Sequence, residues 1–136
     1  MIQIAIDGPG GAGKSTVAKA VAAKLGIVYV DTGALYRNIG LYMLENGIDP
    51  KDPEAVSAVL NDVKVELEFQ DGVQHIYLNG RCVDSLIRSN EASMYASSVS
   101  AIQAVRDFLL IIALTITSLL NPSRSAIFCG DNFSSI

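Results

Sequence analysis

The sequence predicts an α/β fold, in which a parallel sheet carries a small insertion with an antiparallel three-stranded meander. An apolar run at residues 2–6 precedes a glycine-rich loop and a helical pattern at 17–25. A second apolar run at 27–30 precedes another helical pattern, so strand and helix alternate. Between residues 63 and 84 the hydrophobic period changes to two, which is typical of an antiparallel sheet with one buried face.

Length and composition limit the classes of function. A chain of 136 residues with 50% hydrophobic side chains has room for one domain and a small insertion. The net charge of −4 argues against general nucleic-acid binding, which requires a basic face. Cys82 and Cys129 lie far apart and the chain has one histidine, so neither zinc spacing nor a disulfide framework is present. The start lacks a basic segment and a cleavage site, so we expect no signal peptide and a cytoplasmic protein.

The first glycine-rich loop fits the phosphate-binding pattern G-x-x-x-x-G-K-[ST] at every fixed position. Glycines let the backbone curl so that successive N–H groups face an anion, and the N-terminus of the following helix adds partial positive charge. We expect Lys14, the candidate catalytic residue, to reach the β- and γ-phosphates of ATP, and the Ser15 hydroxyl to ligate Mg²⁺. The pattern thus predicts a P-loop NTPase core. The candidate ATP-binding residues are Gly8, Pro9, Gly10, Gly11, Ala12, Gly13, Lys14, Ser15 and Thr16.

An alternative for this loop is a glycine turn that holds no ligand. The pattern and its context agree, since the loop follows a strand and opens a helix, and this agreement favours the nucleotide site. Gly26, with Lys24 in the preceding turn, predicts the end of that helix.

A second candidate site follows the next strand, at Asp31, Thr32 and Gly33. Ligands of open α/β sheets bind at the carboxyl ends of strands, and Arg37 on the following helix is suited to bidentate phosphate binding. The alternative is that Thr32 or Asp31 only caps this helix. Residue types alone do not decide between the two. Asn46 and Gly47 predict the end of the helix.

The stretch from residue 52 to residue 84 predicts a short helix and then the meander. Asp52 is a helix cap with Pro53 at the first helical position. From Val63 to Phe69 apolar residues alternate with charged ones, and Asp71–Gly72 and Asn79–Gly80 are hairpin-turn signals. His75 falls inside the meander, and we expect a surface strand residue without a catalytic role.

Residues 91–110 are predicted to be mostly helical. Arg88 and Arg106 flank or lie within this stretch and are candidate phosphate or base contacts. Residue type alone favours ordinary surface arginines over binding residues at these two positions.

Taken together, these motifs resemble the bacterial cytidylate kinases from Met1 to about Leu110. The similarity rests on the glycine loop, the 31–37 stretch of Asp-Thr-Gly-Ala-Leu-Tyr-Arg, Asn79-Gly80-Arg81, Ile87-Arg88, and residues 96–106. The 31–37 stretch and the long insertion are its specific parts, because other small P-loop kinases share only the glycine loop. The resemblance implies transfer of the γ-phosphoryl group of ATP to CMP or dCMP, with Mg²⁺.

The resemblance also assigns the acceptor site residue by residue. Thr32 matches the position beside the acceptor nucleotide, Arg37 and Arg106 match arginines that grip its phosphate, and Ser97 matches a serine near the cytosine ring. It implies three regions: residues 1–40 as the first part of the core, 41–100 as the monophosphate-binding insertion, and 101–136 as the return to the core. Gln103 stands where the family usually has proline, which we expect to loosen the helix start near Arg106.

The chain departs from the family pattern near Ile111. No charged residue occurs from Leu109 to Ser123, and the expected Asp-Gly-Arg-Asp loop, arginine-rich lid and later helices are not matched. Residues 126–129 are only weakly similar to the expected strand. Measured against the family pattern, this departure leads us to expect a product truncated or frameshifted after about residue 110, with an incomplete sheet, little kinase activity and a divergent tail.

Two functions stay open at this point, a cytidylate kinase and a non-catalytic nucleotide-binding fragment or pseudogene product. The apolar run at 108–120 has 13 residues, short of the ~20 needed to span a bilayer. It favours a helix that covers sheet surface over a membrane anchor. We expect a monomer that is prone to aggregation and binds neither nucleic acid nor membrane.

Overall fold

The computed structural model describes residues 3–6, 14–26, 28–71, 73–120 and 126–129, which form a mixed fold of helices and strands. The strands are β1 Gln3–Ile6, β2 Val28–Asp31, β3 Val65–Gln70, β4 Val73–Leu78, β5 Arg81–Cys82 and β6 Ala126–Cys129. The helices are α1 Lys14–Leu25, α2 Thr32–Glu45, α3 Pro53–Val59, α4 Asn90–Val99 and α5 Gln103–Leu120, with short 3₁₀ turns at Leu60–Asp62 and Leu86–Arg88.

The chain divides into two compact units. One unit comprises Met1–Gly33 and Leu110–Ile136, and the other comprises Ala34–Leu109. The first unit is therefore built from both ends of the chain, whereas the second is continuous in sequence. The division into 1–40, 41–100 and 101–136 stays a prediction.

The first unit contains a parallel sheet of three strands in the order β1-β6-β2. Strand β6 pairs with both neighbours, with Ala126 opposite Gln3 on one side and opposite Val28 on the other. Residues 126–129, which the sequence only faintly marks as a strand, are thus the middle strand. Apolar strands without alternation are typical of parallel sheets, because both faces of such sheets are buried.

Helix α1 connects β1 to β2 and ends as the sequence predicts. Gly26 follows its last residue with φ of +67°, the left-handed conformation that commonly closes a helix. Lys24 lies in the last turn, where its charge complements the helix dipole. The Lys19 ammonium lies 5.6 Å from the centroid of the Tyr29 ring on β2, a cation–π distance.

Helix α2 supplies much of the core of the second unit. Leu35, Ile39 and Met43 recur at helical spacing and are fully buried. Asn38 is also fully buried, and its Nδ2 donates a hydrogen bond to the Tyr77 carbonyl on β4 at 3.1 Å. At the C-terminal end of the helix, Glu45 accepts a hydrogen bond from the guanidinium of Arg81 on β5. Two side-chain contacts therefore hold α2 to the meander.

The predicted meander is confirmed as an antiparallel sheet in the order β3-β4-β5. Val65 and Leu67 on β3 face Leu78 and Ile76 on β4 in register, and all four side chains are buried. The second turn has φ of +50° at Asn79 and +82° at Gly80. Positive φ at both central residues defines the type I′ turn that Asn-Gly sequences favour. The turn residue Gly72 lies outside the described part of the chain.

The short helix α3 begins as predicted. The side chain of Asp52 accepts hydrogen bonds from the backbone N–H groups of Glu54 and Ala55, and Pro53 occupies the first turn. Val56, on the inner face of this helix, is fully buried, and Leu60 is buried in the 3₁₀ turn that follows the helix.

The helical prediction for residues 91–110 is confirmed with one interruption, because α4 ends at Val99 and α5 begins at Gln103. Helix α5 then continues through the apolar run to Leu120. Among the described residues, no single helix is long and apolar enough to cross a membrane. Asn90–Val99 and Gln103–Ile116 satisfy the length and composition criteria only as a pair bent by 104°.

Candidate functional site

The predicted phosphate loop opens a helix, as its pattern requires. Strand β1 ends at Ile6 and α1 begins at Lys14, so Lys14, Ser15 and Thr16 form the first turn of the helix. That turn contains no acidic residue that would oppose the positive end of the helix dipole. Residues 8–13 lie outside the described residues, and their arrangement stays a prediction.

The second candidate site has a similar local construction. Strand β2 ends at Asp31 and α2 begins at once with Thr32, which is fully buried. The first turn of α2 also lacks an acidic residue. The carboxyl end of a parallel strand and the N-terminus of a helix therefore meet at Thr32, which is the arrangement in which α/β folds place anionic ligands.

Arg106 has an unusual environment on α5. Its Nε atom is buried and has no hydrogen-bond partner among the described residues. Burial raises the pKa of Tyr36, and the positive charge of Arg106 opposes that rise, so the guanidinium is close enough to the Tyr36 hydroxyl for the two charges to interact. A guanidinium donor that has no partner among the described residues keeps its capacity for one further hydrogen bond, which an acceptor such as a phosphate oxygen could accept.

Arg37 and Ser97 lie on two other helices of the same unit. Arg37 is half-buried on α2, between the buried residues Tyr36 and Asn38. Ser97 is exposed on α4, and its carbonyl accepts a hydrogen bond from the Ser100 hydroxyl at 2.8 Å. The Ala34–Leu109 unit thus contains Arg37, Ser97 and Arg106, whereas Thr32 and the phosphate loop belong to the other unit.

Helix α5, which carries Arg106, has regular backbone hydrogen bonds from its start at Gln103. The N–H groups of Val105 and Arg106 both donate to the Ile102 carbonyl, and Gln103 Nε2 donates to Asp107 Oδ1 at 2.8 Å. Gln103 therefore starts α5 in place of the expected proline, and the structure shows no interruption of the helix at Arg106.

A sequence model described as cytidylate kinase matches residues 4–122, which is most of the chain and extends beyond Leu110. The chain belongs to the cytidylate kinase family.

Three relatives show the extent of the similarity. The chain is 48% identical over 109 residues to a cytidylate kinase of Caldicellulosiruptor bescii, covering 80% of this chain and 48% of the relative. It is 49% identical over 107 residues to a cytidylate kinase of Fervidobacterium nodosum, covering 79% and 47% respectively. It is 53% identical over 104 residues to a bifunctional pantoate ligase/cytidylate kinase of Synechococcus sp. (strain CC9311), covering 76% and 21% respectively. The chain spans about half the length of the cytidylate kinases it matches.

Within this member of the cytidylate kinase family, His75 has a partner that the sequence did not indicate. Its Nδ1 lies 2.6 Å from Asp84 Oδ2, and both side chains are about one-third exposed. The other oxygen of Asp84 accepts the Ile76 backbone N–H at 2.8 Å. The prediction of a surface strand residue thus missed a half-buried pair. Asp84 lies nine residues further along the chain, and no local rule joins the two positions.

These contacts determine the protonation of Asp84. Burial alone would raise its pKa, but the hydrogen bonds from the Ile76 N–H and from His75 outweigh burial and hold the pKa below its usual value of 3.8. On the same sheet, the hydrogen bond that the Tyr77 hydroxyl donates to Glu68 raises the pKa of Tyr77. Among the described residues, no group of three or more His, Cys, Asp or Glu side chains is arranged to hold a metal ion.

The Asp84 contacts lead to a prediction about stability and pH. Because the pKa of Asp84 is lowered in the folded protein, its stabilisation is complete above the unfolded-state value of 3.8 and is lost as the pH falls through the folded-state pKa. We expect Asp84→Asn to lower the free energy of unfolding by about 1 kcal/mol at pH 7. The difference from the unmodified protein should begin to shrink as the pH falls below 3.8 and continue to shrink through the folded-state pKa.

Urea unfolding at a series of pH values between 7 and 3 measures this difference. Asp62→Asn, at an exposed position of the 3₁₀ turn after α3, is the matched control and should show no such trend. An Asp84→Asn deficit of equal size at pH 3 and pH 7 would contradict the argument.

Proposed function

We propose that this chain binds ATP and either CMP or dCMP, and that its residues serve transfer of the γ-phosphoryl group between them. The family match over residues 4–122 carries the proposal, because it includes both strand–helix junctions and the helices with Arg37, Ser97 and Arg106. The names of the relatives support the acceptor, since they are cytidylate kinases.

The ATP site in this proposal is the phosphate loop of a P-loop NTPase core. Residues 8–13 present backbone N–H groups to the phosphates, and Lys14 neutralises charge on the β- and γ-phosphates. The Ser15 hydroxyl and the phosphates would hold Mg²⁺, which supplies further charge neutralisation when bound. The absence of acidic residues from the first turn of α1 supports an anion at this helix N-terminus.

The acceptor site consists of Thr32, Arg37, Ser97 and Arg106. Arginine suits the acceptor phosphate because its planar guanidinium donates two parallel hydrogen bonds to phosphate oxygens. The buried Nε of Arg106 supports this assignment, since it has no hydrogen-bond partner among the described residues. In this proposal Ser97 contacts the cytosine ring, and its exposure on α4 leaves the side chain accessible to a ligand.

The reaction requires little covalent chemistry from the protein. An oxygen of the acceptor monophosphate attacks the γ-phosphorus in line, and the bond to the β-phosphate oxygen breaks, giving ADP and CDP or dCDP. The protein contributes orientation of the two phosphates and neutralisation of charge in the transition state. Lys14, Arg37 and Arg106 are the side chains assigned to that neutralisation.

The remaining assignments complete the proposal. We place the monophosphate-binding insertion at residues 41–100, with 1–40 and 101–136 contributing the core. We propose a monomer that acts in the cytoplasm and has neither nucleic-acid nor membrane partners. The net charge of −4 supports the exclusion of nucleic acid.

A second candidate function is nucleotide binding without phosphoryl transfer. Arg124 is the only lysine or arginine beyond Arg106. An arginine that contacts the transferring phosphoryl group typically raises the rate by about 10³ to 10⁵. A site with few such arginines would therefore keep nucleotide affinity while its turnover is low. A coupled assay with ATP, Mg²⁺ and CMP distinguishes the two. Turnover in the usual range of ~1–100 per second supports the kinase. Binding of both nucleotides with turnover far below that range supports the alternative.

The ATP site leads to a prediction for Lys14. We expect Lys14→Ala to abolish measurable ATP binding while the fold remains, because in this proposal the ammonium contacts the phosphates. Calorimetric titration with ATP and Mg²⁺ measures the affinity, and circular dichroism checks the fold. Lys24→Ala, at the opposite end of the same helix, removes an equal charge and should bind ATP normally. Unchanged ATP affinity in Lys14→Ala would remove the assignment.

The acceptor site leads to a prediction for Arg37. The unmodified chain should bind CMP or dCMP more tightly than AMP, and Arg37→Ala should weaken CMP binding about 10- to 100-fold through loss of a charge-assisted phosphate contact. Lys64→Ala removes a positive charge from an exposed position beside the meander, where Lys64 pairs with Glu66, and should retain CMP affinity. Titration of the common monophosphates measures both effects. Equal affinity for AMP and CMP would count against the cytidylate assignment.

A further inference from the structure

Helix α4 packs against α2 at Gly40 with no room for a side chain. A Cβ atom placed on Gly40 would lie 2.7 Å from the Ala96 nitrogen, 3.0 Å from the Ala92 carbonyl oxygen and 3.1 Å from the Tyr95 carbonyl carbon. All three are backbone atoms, so no side-chain rotation relieves the contact. Since glycine destabilises a helix interior relative to alanine, its presence here has a steric rather than a conformational reason.

The close approach lies between the helix that carries Arg37 and the helix that carries Ser97, two residues of the proposed acceptor site. Arg37 lies three residues before Gly40 on α2, and Ser97 directly follows Ala96 on α4. A helix is stiff over one turn, so a change in separation at Gly40 is passed on to both side chains. Arg37 is assigned to the phosphate of the acceptor and Ser97 to its base.

We propose that Gly40 is a positioning residue, which sets the distance between Arg37 and Ser97 so that one nucleoside monophosphate engages both. The inference rests on the proposed acceptor site. An added methyl group needs about 3.4 Å, against the 2.7 Å available, so α4 would have to move away by roughly 0.7 Å. A misplacement of about 1 Å in a catalytic site can cost about 10²-fold in rate, and we expect a loss of affinity from the same cause where one ligand is held at both ends.

A positioning role differs measurably from a purely structural one. A ligand with a phosphate but no base engages only the Arg37 end, and its affinity does not depend on the separation of the helices. A complete nucleotide spans both ends and loses affinity when they separate. A merely destabilised protein would lose both ligands alike.

Calorimetric titration with CMP and with ribose 5-phosphate tests the proposal on the full chain. We expect Gly40→Ala to weaken CMP binding about 10-fold or more while ribose 5-phosphate affinity changes less than twofold. Gly47→Ala is the matched control. Gly47 has φ of +66° and nothing within 4 Å of an added Cβ, so this substitution strains the backbone without moving α4. It should weaken neither ligand selectively.

Ala96→Ser is the second variant, for use if Gly40→Ala does not fold. It adds one atom to the buried residue whose backbone nitrogen lies nearest to a Cβ on Gly40, and we expect the same selective loss of CMP. Equal loss of both ligands, or of neither, in a folded variant overturns the positioning role. If the unmodified chain binds CMP no better than ribose 5-phosphate, the acceptor site itself is wrong and the inference falls with it.

Discussion

The burial of α2 is the constraint on which the Ala34–Leu109 unit depends. The helix is buried on several sides, so its polar groups need partners inside the protein or at the ends of the helix. The Nδ2 of Asn38 finds one in the Tyr77 carbonyl, whereas its Oδ1 has none among the described residues. At the exposed end of the helix Glu45 pairs with Arg81, so both contacts reach the meander. Leaving such a buried amide without a partner typically costs about 1–3 kcal/mol. The orientation of α2 relative to the meander is therefore fixed by polar as well as apolar contacts.

This constraint also determines where the proposed ligand contacts lie. Arg37 is half-buried in a stretch where its neighbours Tyr36 and Asn38 are buried, so its backbone cannot rotate without disrupting the core. Tyr36 lies near Arg106 on α5, and Gly40 meets α4. One helix thus organises the elements that carry all three residues assigned to the acceptor in this unit. Core packing and site geometry are two aspects of the same set of contacts.

Local chemistry explains what the sequence predicted correctly. Asp52 with Pro53 specifies a helix start, Asn79 with Gly80 specifies a turn, and the alternation from Val63 specifies the register of a sheet, all through interactions within a few residues. The contact between His75 and Asp84 and the approach of Ala96 to Gly40 depend on how separate elements pack, and no local pattern encodes them. The acceptor residues were assigned by resemblance, because a serine or an arginine alone has many possible roles. The structure adds the buried Nε of Arg106, which residue type could not indicate.

The strand order β1-β6-β2 affects when the parallel sheet can form during synthesis of the chain. The middle strand of the parallel sheet is Ala126–Cys129, so β1 and β2 have no shared partner until the last part of this sequence has been made. Residues 34–109 are continuous and can assemble their core before that point. Contacts between residues so distant in sequence form slowly, because a long loop must close first. Among the described strands, the pairing of β1 and β2 with β6 therefore forms only after Cys129 has been made.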